Sequence, residues 1–320
     1  MTSARLPVPV VVIGNVVVGG AGKTPTVMAT VLHLQMMGWR PGVISRGHGR
    51  ASDAPQVVEP HSDAALVGDE PRLVAQATGA PVVVARQRVS AARHLLHRYP
   101  EVDVIVSDDG MQHWPLARDL TVVVFDARQT GNGWLLPAGL LREPWPAKPL
   151  AHEPLLVLST APGLAPHSLW PTFYAPRRLA GWAINPQGAR RPLADFCGHG
   201  SVGALAGIAQ PDAFFDMLRN AGITLTCTRA LVDHASAVSL QSSIHDVQDT
   251  GAVHTWLCTE KDAIKLFPVL TADPTATTDV WAVPLEQTPE PAFFAALDAA
   301  LVRTQGRDQP VSSAHGHKTA

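Results

Sequence analysis

The stretch VVVIGNVVVGGAGKTPTVMATV, Val10 to Val31, constrains the fold more than any other part of this chain. Valines without polar alternation describe a strand covered on both faces, as in a parallel sheet. A glycine turn follows, then Pro25 where a first helical turn tolerates it, then Val27, Leu32, Leu34 and Met36 on a helix that stops at Gly38. That order aims backbone N–H groups and a helix N-terminus at an anion, while a lysine adds charge and a Ser/Thr hydroxyl can hold Mg²⁺. Gly19, Gly20, Ala21, Gly22, Lys23 and Thr24 supply this set, and Val17 and Val18 lead into it. Val17 stands where the usual G-x-x-x-x-G-K-[ST] pattern has its first glycine, and Val18 where the partitioning and maturation ATPases place a lysine. The guanine-reading Asn-Lys-x-Asp motif is absent, which favours ATP over GTP and a kinase over a switch.

The valine strand is followed by others: GVIS from 42, PVVVA from 81, VDVIVSDDG from 102, DLTVVVFDA from 119 and LLVLS near 155, with helices between some of them. Such alternation implies right-handed crossovers and a doubly wound, mostly parallel α/β sheet of P-loop NTPase type, with ligands at the carboxyl ends of the strands. The chain has 320 residues, 46% of them apolar, which is enough for two cores. The expected division is a nucleotide-binding core over 1–195, a smaller α/β unit over 196–303 and a disordered polar tail over 304–320. A net charge of -2 argues against a nucleic-acid partner. Three dispersed cysteines, Cys197, Cys227 and Cys258, make neither a disulfide framework nor a paired zinc site. They read as reduced thiols. No run of about 20 apolar residues suggests a membrane-spanning helix.

Acidic residues cluster at expected strand ends. Asp108 and Asp109 end an apolar strand, where carboxylates orient Mg²⁺ directly or through water; two solvated turn carboxylates are the alternative. Asp69 and Glu70, in GDEPRLVA, read first as helix caps, with Asp69 also a candidate proton acceptor for a hydroxyl. His234, beside Asp233 in LVDHAS, is a second candidate acceptor, or a structural histidine. In TEKDAIKL, Thr259 and Asp262 fit a capped helix start, with Lys261 and Lys265 following.

These segments, together with ISRGHGR, DDGMQHWPLARDLTVVVFDA and GNGWLLPAGLLREP, occur in an order and spacing that resembles tetraacyldisaccharide 4'-kinase, the lipid A 4'-kinase family of Gram-negative bacteria. The resemblance covers most of the chain and is densest from Val8 to Pro144. It implies transfer of the ATP γ-phosphate to the 4'-hydroxyl of an acylated glucosamine disaccharide 1-phosphate. It also implies Asp69 and His234 as a proton-accepting dyad, Lys23 on the β- and γ-phosphates and Thr24 on Mg²⁺. Asp108, Asp109 and Glu143 would assist at the metal and phosphates. Arg46, Arg50, Arg118 and Arg142 lie in the matching motifs and suit the phosphate already carried by the acceptor lipid.

The family commonly begins with an apolar N-terminal anchor helix. None is read here, so the expected location is the cytoplasmic face of the inner membrane, held peripherally, with no obligate protein partner. Trp39, Trp114, Trp134, Trp145 and Trp170 are candidates for a lipid interface, with core packing as the alternative. Leu140 and His48 replace a usual proline and tyrosine. Rival readings are a P-loop kinase of a soluble sugar or cofactor precursor, and a nucleotide-dependent switch or metallochaperone with a histidine-bearing tail.

Overall fold

The computed structural model describes residues 3–48, 50, 52–146, 154–161, 169–198, 200–248, 253–272 and 278–305. Nearly all of the tail expected to be disordered lies outside them. The first eight strands are β1 (Val10–Gly14), β2 (Pro41–Ser45), β3 (Gln56–Val57), β4 (Val82–Val84), β5 (Val104–Asp108), β6 (Leu120–Phe125), β7 (Leu155–Ser159) and β8 (Thr172–Tyr174). They form one sheet in the order β3-β4-β2-β5-β1-β6-β7-β8. Every pairing is parallel except that of β3 with β4. The uninterrupted valines of β1 are explained by its place near the middle, buried on both faces.

The chain then makes a short strand, β9 (Arg177–Leu179), and a second sheet built from β10 (Trp182–Ile184), β11 (Arg190–Pro192), β12 (Val202–Ala206), β13 (Leu225–Ala230), β14 (Thr255–Thr259) and β15 (Asp279–Val283). Their order is β11-β10-β15-β14-β12-β13, and β16 (Leu285–Gln287) returns to pair antiparallel with β9.

The helices are α1 (Lys23–Met36), α2 (Ala64–Val67), α3 (Asp69–Thr78), α4 (Arg88–Arg98), α5 (Pro211–Asn220), α6 (Ala237–Gln248), α7 (Glu260–Ala272) and α8 (Pro291–Gln305). The sheets do not divide at residue 195. Strands β10 and β11, ahead of that point, belong to the second sheet, and α8, beyond it, packs Phe293, Leu297, Ala300 and Leu301 into the core of the first. The reason is coverage. Among the described residues no helix lies between β6 and β7 or between β7 and β8, so that face of the parallel sheet is closed by a helix from far along the chain. His33 of α1 stacks on Phe294 at 4.2 Å and its Nε2 lies 2.9 Å from Asp298 Oδ1, which fixes α8 against α1.

Register sets the site. Ile13 pairs with Asp108 and Ile44 with Ser107, so β1, β2 and β5 end side by side at their carboxyl edge.

Candidate active site

The chain leaves β1 through Asn15, which is fully buried. Its Nδ2 donates to the carbonyl of Val17 at 2.6 Å, and its Oδ1 accepts from Lys23 Nζ at 3.2 Å. Gly19 and Gly22 have φ of 87° and 93°, the left-handed region that favours glycine, and Gly22 is the N-cap of α1. Thr24 follows Lys23 in the first turn, and Lys23 Nζ lies 3.6 Å from Asp109 Oδ1. Gly19 through Thr24 thus adopt the expected glycine turn into a helix. Val17 and Val18 depart from the expectation. Val17 is buried and bridged to Leu141, while the Val18 N–H donates to Leu140 O at 2.9 Å and its carbonyl accepts from Arg128 at 3.0 Å. The two valines clasp the PAGLLREP turn, which leaves the Val18 N–H no hydrogen for a phosphate.

At the end of β5, Ser45 Oγ donates to Asp108 Oδ2 at 3.0 Å. Burial, followed by the negative charges of Glu70 and Asp109, pushes the Asp108 carboxyl up to about 7. Its Oδ1 is buried without a hydrogen-bond partner. Burial also acts on Asp109, but Lys23, Arg142 and Arg88 outweigh it and hold that carboxyl below its ordinary value. Arg142 donates to Asp109 Oδ1 at 3.1 Å. Glu143 Oε1 accepts from Gln112 Nε2 at 2.7 Å, and the same Nε2 lies 3.2 Å from the carbonyl of Asn15.

Among the described residues no group of three or more His, Cys, Asp or Glu side chains is arranged to hold a metal unaided. Mg²⁺ asks for less, being commonly held by one or two carboxylates plus phosphate and water. The orphaned Asp108 Oδ1, beside Asp109 and the Lys23–Thr24 turn, fits that donor set.

Asp69 opens α3, and its Gly68 N-cap has φ 92° and ψ 146°, a conformation close to glycine-only. A side chain on Gly68 would press on Gly47, so the glycines of ISRGHGR and GDEP pass back to back. Across the gap between sheets, His234 Nδ1 lies 3.0 Å from Asp69 Oδ2 and 3.1 Å from Oδ1. His234 itself has φ 61°, and its N–H donates to Gly207 O at 3.2 Å. His48 stacks on its ring at 4.8 Å. Lys265 Nζ donates to Asp69 Oδ2 at 3.3 Å, and Lys261 Nζ donates to Glu70 and Asp233 at 3.0 Å each. Burial opposes charge on Asp69, but the His234 hydrogen bond and the charges of Lys261, His234 and Lys265 leave it far below the usual carboxylate range. Its hydrogen bond to Asp69 raises His234 in turn. Thr259 does cap α7, its Oγ1 accepting from the Asp262 N–H at 3.2 Å and donating to Asp262 Oδ2 at 2.6 Å, and that capped helix start presents Lys261 and Lys265 to the dyad.

The four arginines separate. Arg46 and Arg50 line one cavity of about 310 Å³ with His48 and Arg86. Arg142 sits at Asp109. Arg118 turns inward: it is 7% exposed, donates to Met111 O at 3.0 Å and lies over the Trp114 ring at 4.9 Å. That placement holds the DDGMQHW turn and keeps the guanidinium from an acceptor lipid. Of the tryptophans, Trp114 and Trp134 are exposed, whereas Trp39, Trp145 and Trp170 pack on the core. Asn15, Ser45, Gln112, Arg128 and Arg177 enter the site without having been singled out from sequence. For Asn15 the available signal was a lone amide at the end of an all-apolar strand.

The profile of the LpxK family, tetraacyldisaccharide-1-P 4'-kinase, matches residues 1–302. The chain belongs to that family. A tetraacyldisaccharide 4'-kinase of Polaromonas naphthalenivorans (strain CJ2) is 48% identical over 323 residues, spanning 100% of this chain and 88% of the relative. Another, of Methylibium petroleiphilum, is 50% identical over 308 residues, spanning 93% of this chain and 82% of the relative. Among solved structures, the "apo" form of LpxK from Aquifex aeolicus in complex with ATP superposes with a TM-score of 0.71 at 27% identity, covering 95% of this chain and 90% of that one. The P-loop kinase fold and the lipid 4'-kinase activity expected from the motifs are those of this family.

Proposed function

We propose that this chain transfers the γ-phosphate of ATP to the 4'-hydroxyl of an acylated glucosamine disaccharide 1-phosphate, with Asp69 and His234 as the proton-accepting dyad. Family membership over residues 1–302 supports the reaction, and the 3.0 Å contact between Asp69 and His234 carries the dyad. Lys23 and the N–H groups of Gly19 to Thr24 bind the phosphates. Asp108, Asp109 and Thr24 would hold Mg²⁺, which supplies charge neutralisation on the transferring group.

The Asp69 oxygens are weakly basic and already accept from His234, Lys265 and the Glu70 N–H. The basic atom of the pair is therefore His234 Nε2. Asp69 keeps the proton on Nδ1, and the positive Lys261 ammonium, 3.4 Å from Nε2, favours a free lone pair there. Nε2 takes the 4'-hydroxyl proton as the sugar oxygen bonds to the γ-phosphorus and ADP departs with the bridging oxygen. Arg46 and Arg50 in their cavity suit the 1-phosphate of the acceptor.

No helix among the described residues is long and apolar enough to cross a membrane. We place the chain peripherally at the cytoplasmic face of the inner membrane, where Trp134, Leu135 and Leu136, all exposed on one loop, give an apolar edge for a lipid surface. The test is incubation with labelled ATP, Mg²⁺ and detergent-solubilised disaccharide 1-phosphate. Label on the lipid, lost in Asp69→Asn and His234→Gln with ATP binding retained, supports the reading. Label on a deacylated sugar at equal rate, or no loss in either variant, overturns it.

A further inference from the structure

Two guanidinium groups lie against the glycine turn, and only one of them is satisfied. Arg128 faces Gly19. It donates to both oxygens of Asp126, through Nε at 3.1 and 3.0 Å and through an Nη at 2.7 Å, and to the carbonyl of Val18. Arg177, the first residue of β9, faces Gly22, where a Cβ would overlap its guanidinium. Its Nε and one Nη are buried and have no hydrogen-bond partner. The nearby carboxylate is committed, because Asp126 also accepts from the Arg128 N–H and from Gln210 Nε2. The cross-strand neighbour Gln287 donates through Nε2 to Thr26 Oγ1 at 2.6 Å, and its Oε1 is left without a partner, making no hydrogen bond to Arg177.

A guanidinium with two of its three nitrogens buried and unpartnered is costly, and this one abuts the N-terminal end of α1, whose dipole adds partial positive charge. Burial, and the neighbouring Arg128, disfavour the charged form of Arg177, with only Asp126 acting in its favour. A guanidinium nonetheless stays protonated in proteins. The arrangement therefore leaves a positive fork and a positive helix end facing the same place. What relieves it is an anion with several oxygens.

We infer that Arg177 is a nucleotide-binding residue that donates to the polyphosphate held by the Gly19–Thr24 turn. The inference rests on ATP being the phosphoryl donor. Arg177 adds a bidentate donor from outside the P-loop pattern, on the strand that leads from the first sheet to the second. Arg128 keeps the loop's shape, and Arg177 reads its occupant.

The test uses the full chain and measures binding of ATP, ADP and adenosine by titration calorimetry, with thermal unfolding in the absence of nucleotide. Arg177→Met is expected to weaken ATP and ADP by about 10- to 50-fold, to change adenosine binding less than about twofold, and to leave the nucleotide-free Tm unchanged or higher. An ATP affinity within about twofold of the parent overturns the inference. So does an equal loss for all three ligands with a fall in nucleotide-free Tm, which marks an arginine that only supports the fold. Should Arg177→Met not fold, Arg177→Gln is judged by the same ratio of ATP to adenosine loss. Failure of the unaltered chain to bind ATP overturns both this inference and the choice of donor.

Discussion

Asp69 and Asp108 are almost equally hidden, 5% and 3% exposed, at the carboxyl edge of one sheet, yet their affinities for a proton have moved in opposite directions. Burial raises both. The difference is the company each keeps. Asp69 faces His234, Lys261 and Lys265, all contributed by the second sheet's side of the molecule, whereas Asp108 has a serine hydroxyl and two further carboxylates nearby, with Lys23 and Arg88 failing to outweigh them and its burial. Low accessibility therefore does not decide ionisation here; the cations brought within reach do. The carboxylate we propose orients the base is kept charged by residues on the opposite side of the cleft, and the one proposed for the metal remains poorly satisfied by protein alone.

The largest effect should come from breaking the charged side. Asp69→Asn is expected to lower turnover about 10²- to 10⁴-fold with ATP affinity retained, measured by single-turnover transfer to the lipid and by nucleotide titration. The residual rate sharpens the contrast through its pH dependence. In the proposed mechanism His234 works unprotonated, and its pKa is raised chiefly by Asp69, so the acid limb of the parent should lie above the ordinary histidine value and move to lower pH in the variant.

Asp108→Asn tests the opposite environment. Because the folded carboxyl titrates near 7, well above an unfolded aspartate near 3.9, its charge destabilises the fold above about pH 7, and protonation relieves this as pH falls. The asparagine variant should be more heat-stable than the parent at pH 8 without nucleotide, by about 1–3 kcal/mol, with the gain shrinking as pH falls below about 7 and vanishing only toward about pH 4. It should also need more Mg²⁺ for activity.

Stability of the dyad carries the reverse signature. The lowered Asp69 value stabilises above about 3.9 and is lost as pH falls below it; the raised His234 value stabilises below about 6.5 and is lost as pH climbs through it. The Tm difference between the parent and His234→Gln should be widest from about pH 4 to 6.5. Smallest of all, Trp134→Ala should weaken binding to anionic vesicles only a few-fold, since one aromatic leaves the loop while Leu135 and Leu136 remain.

Much of this contrast was legible in the sequence where local chemistry is sufficient. A valine run, a glycine turn and two aspartates at a strand end announce the sheet, the loop and Asp108 because each depends on its neighbours in sequence. GDEP and DH name Asp69 and His234, but only the family resemblance, and nothing in the local residues, pairs them across 165 positions. TEKDAIKL marks a capped helix start, which Thr259 makes, while the task of Lys261 and Lys265 follows only from where that helix sets them, against Glu70, Asp233 and Asp69. Arg118 sits in the motif-rich stretch yet serves the backbone around it. Arg177 lies in a segment of very short strands with no periodicity to mark it. The limits of the two units were illegible for a similar reason: nothing in the amphipathic pattern of α8 says which distant sheet lacks a cover.

That helix sets a timetable for synthesis. Every strand of the first sheet has been translated by Tyr174, but the layer that shields β6, β7 and β8 begins at Pro291. The nascent protein must therefore emerge with an oily flank uncovered while more than a hundred further residues are added, and the part made first is the last to be sealed.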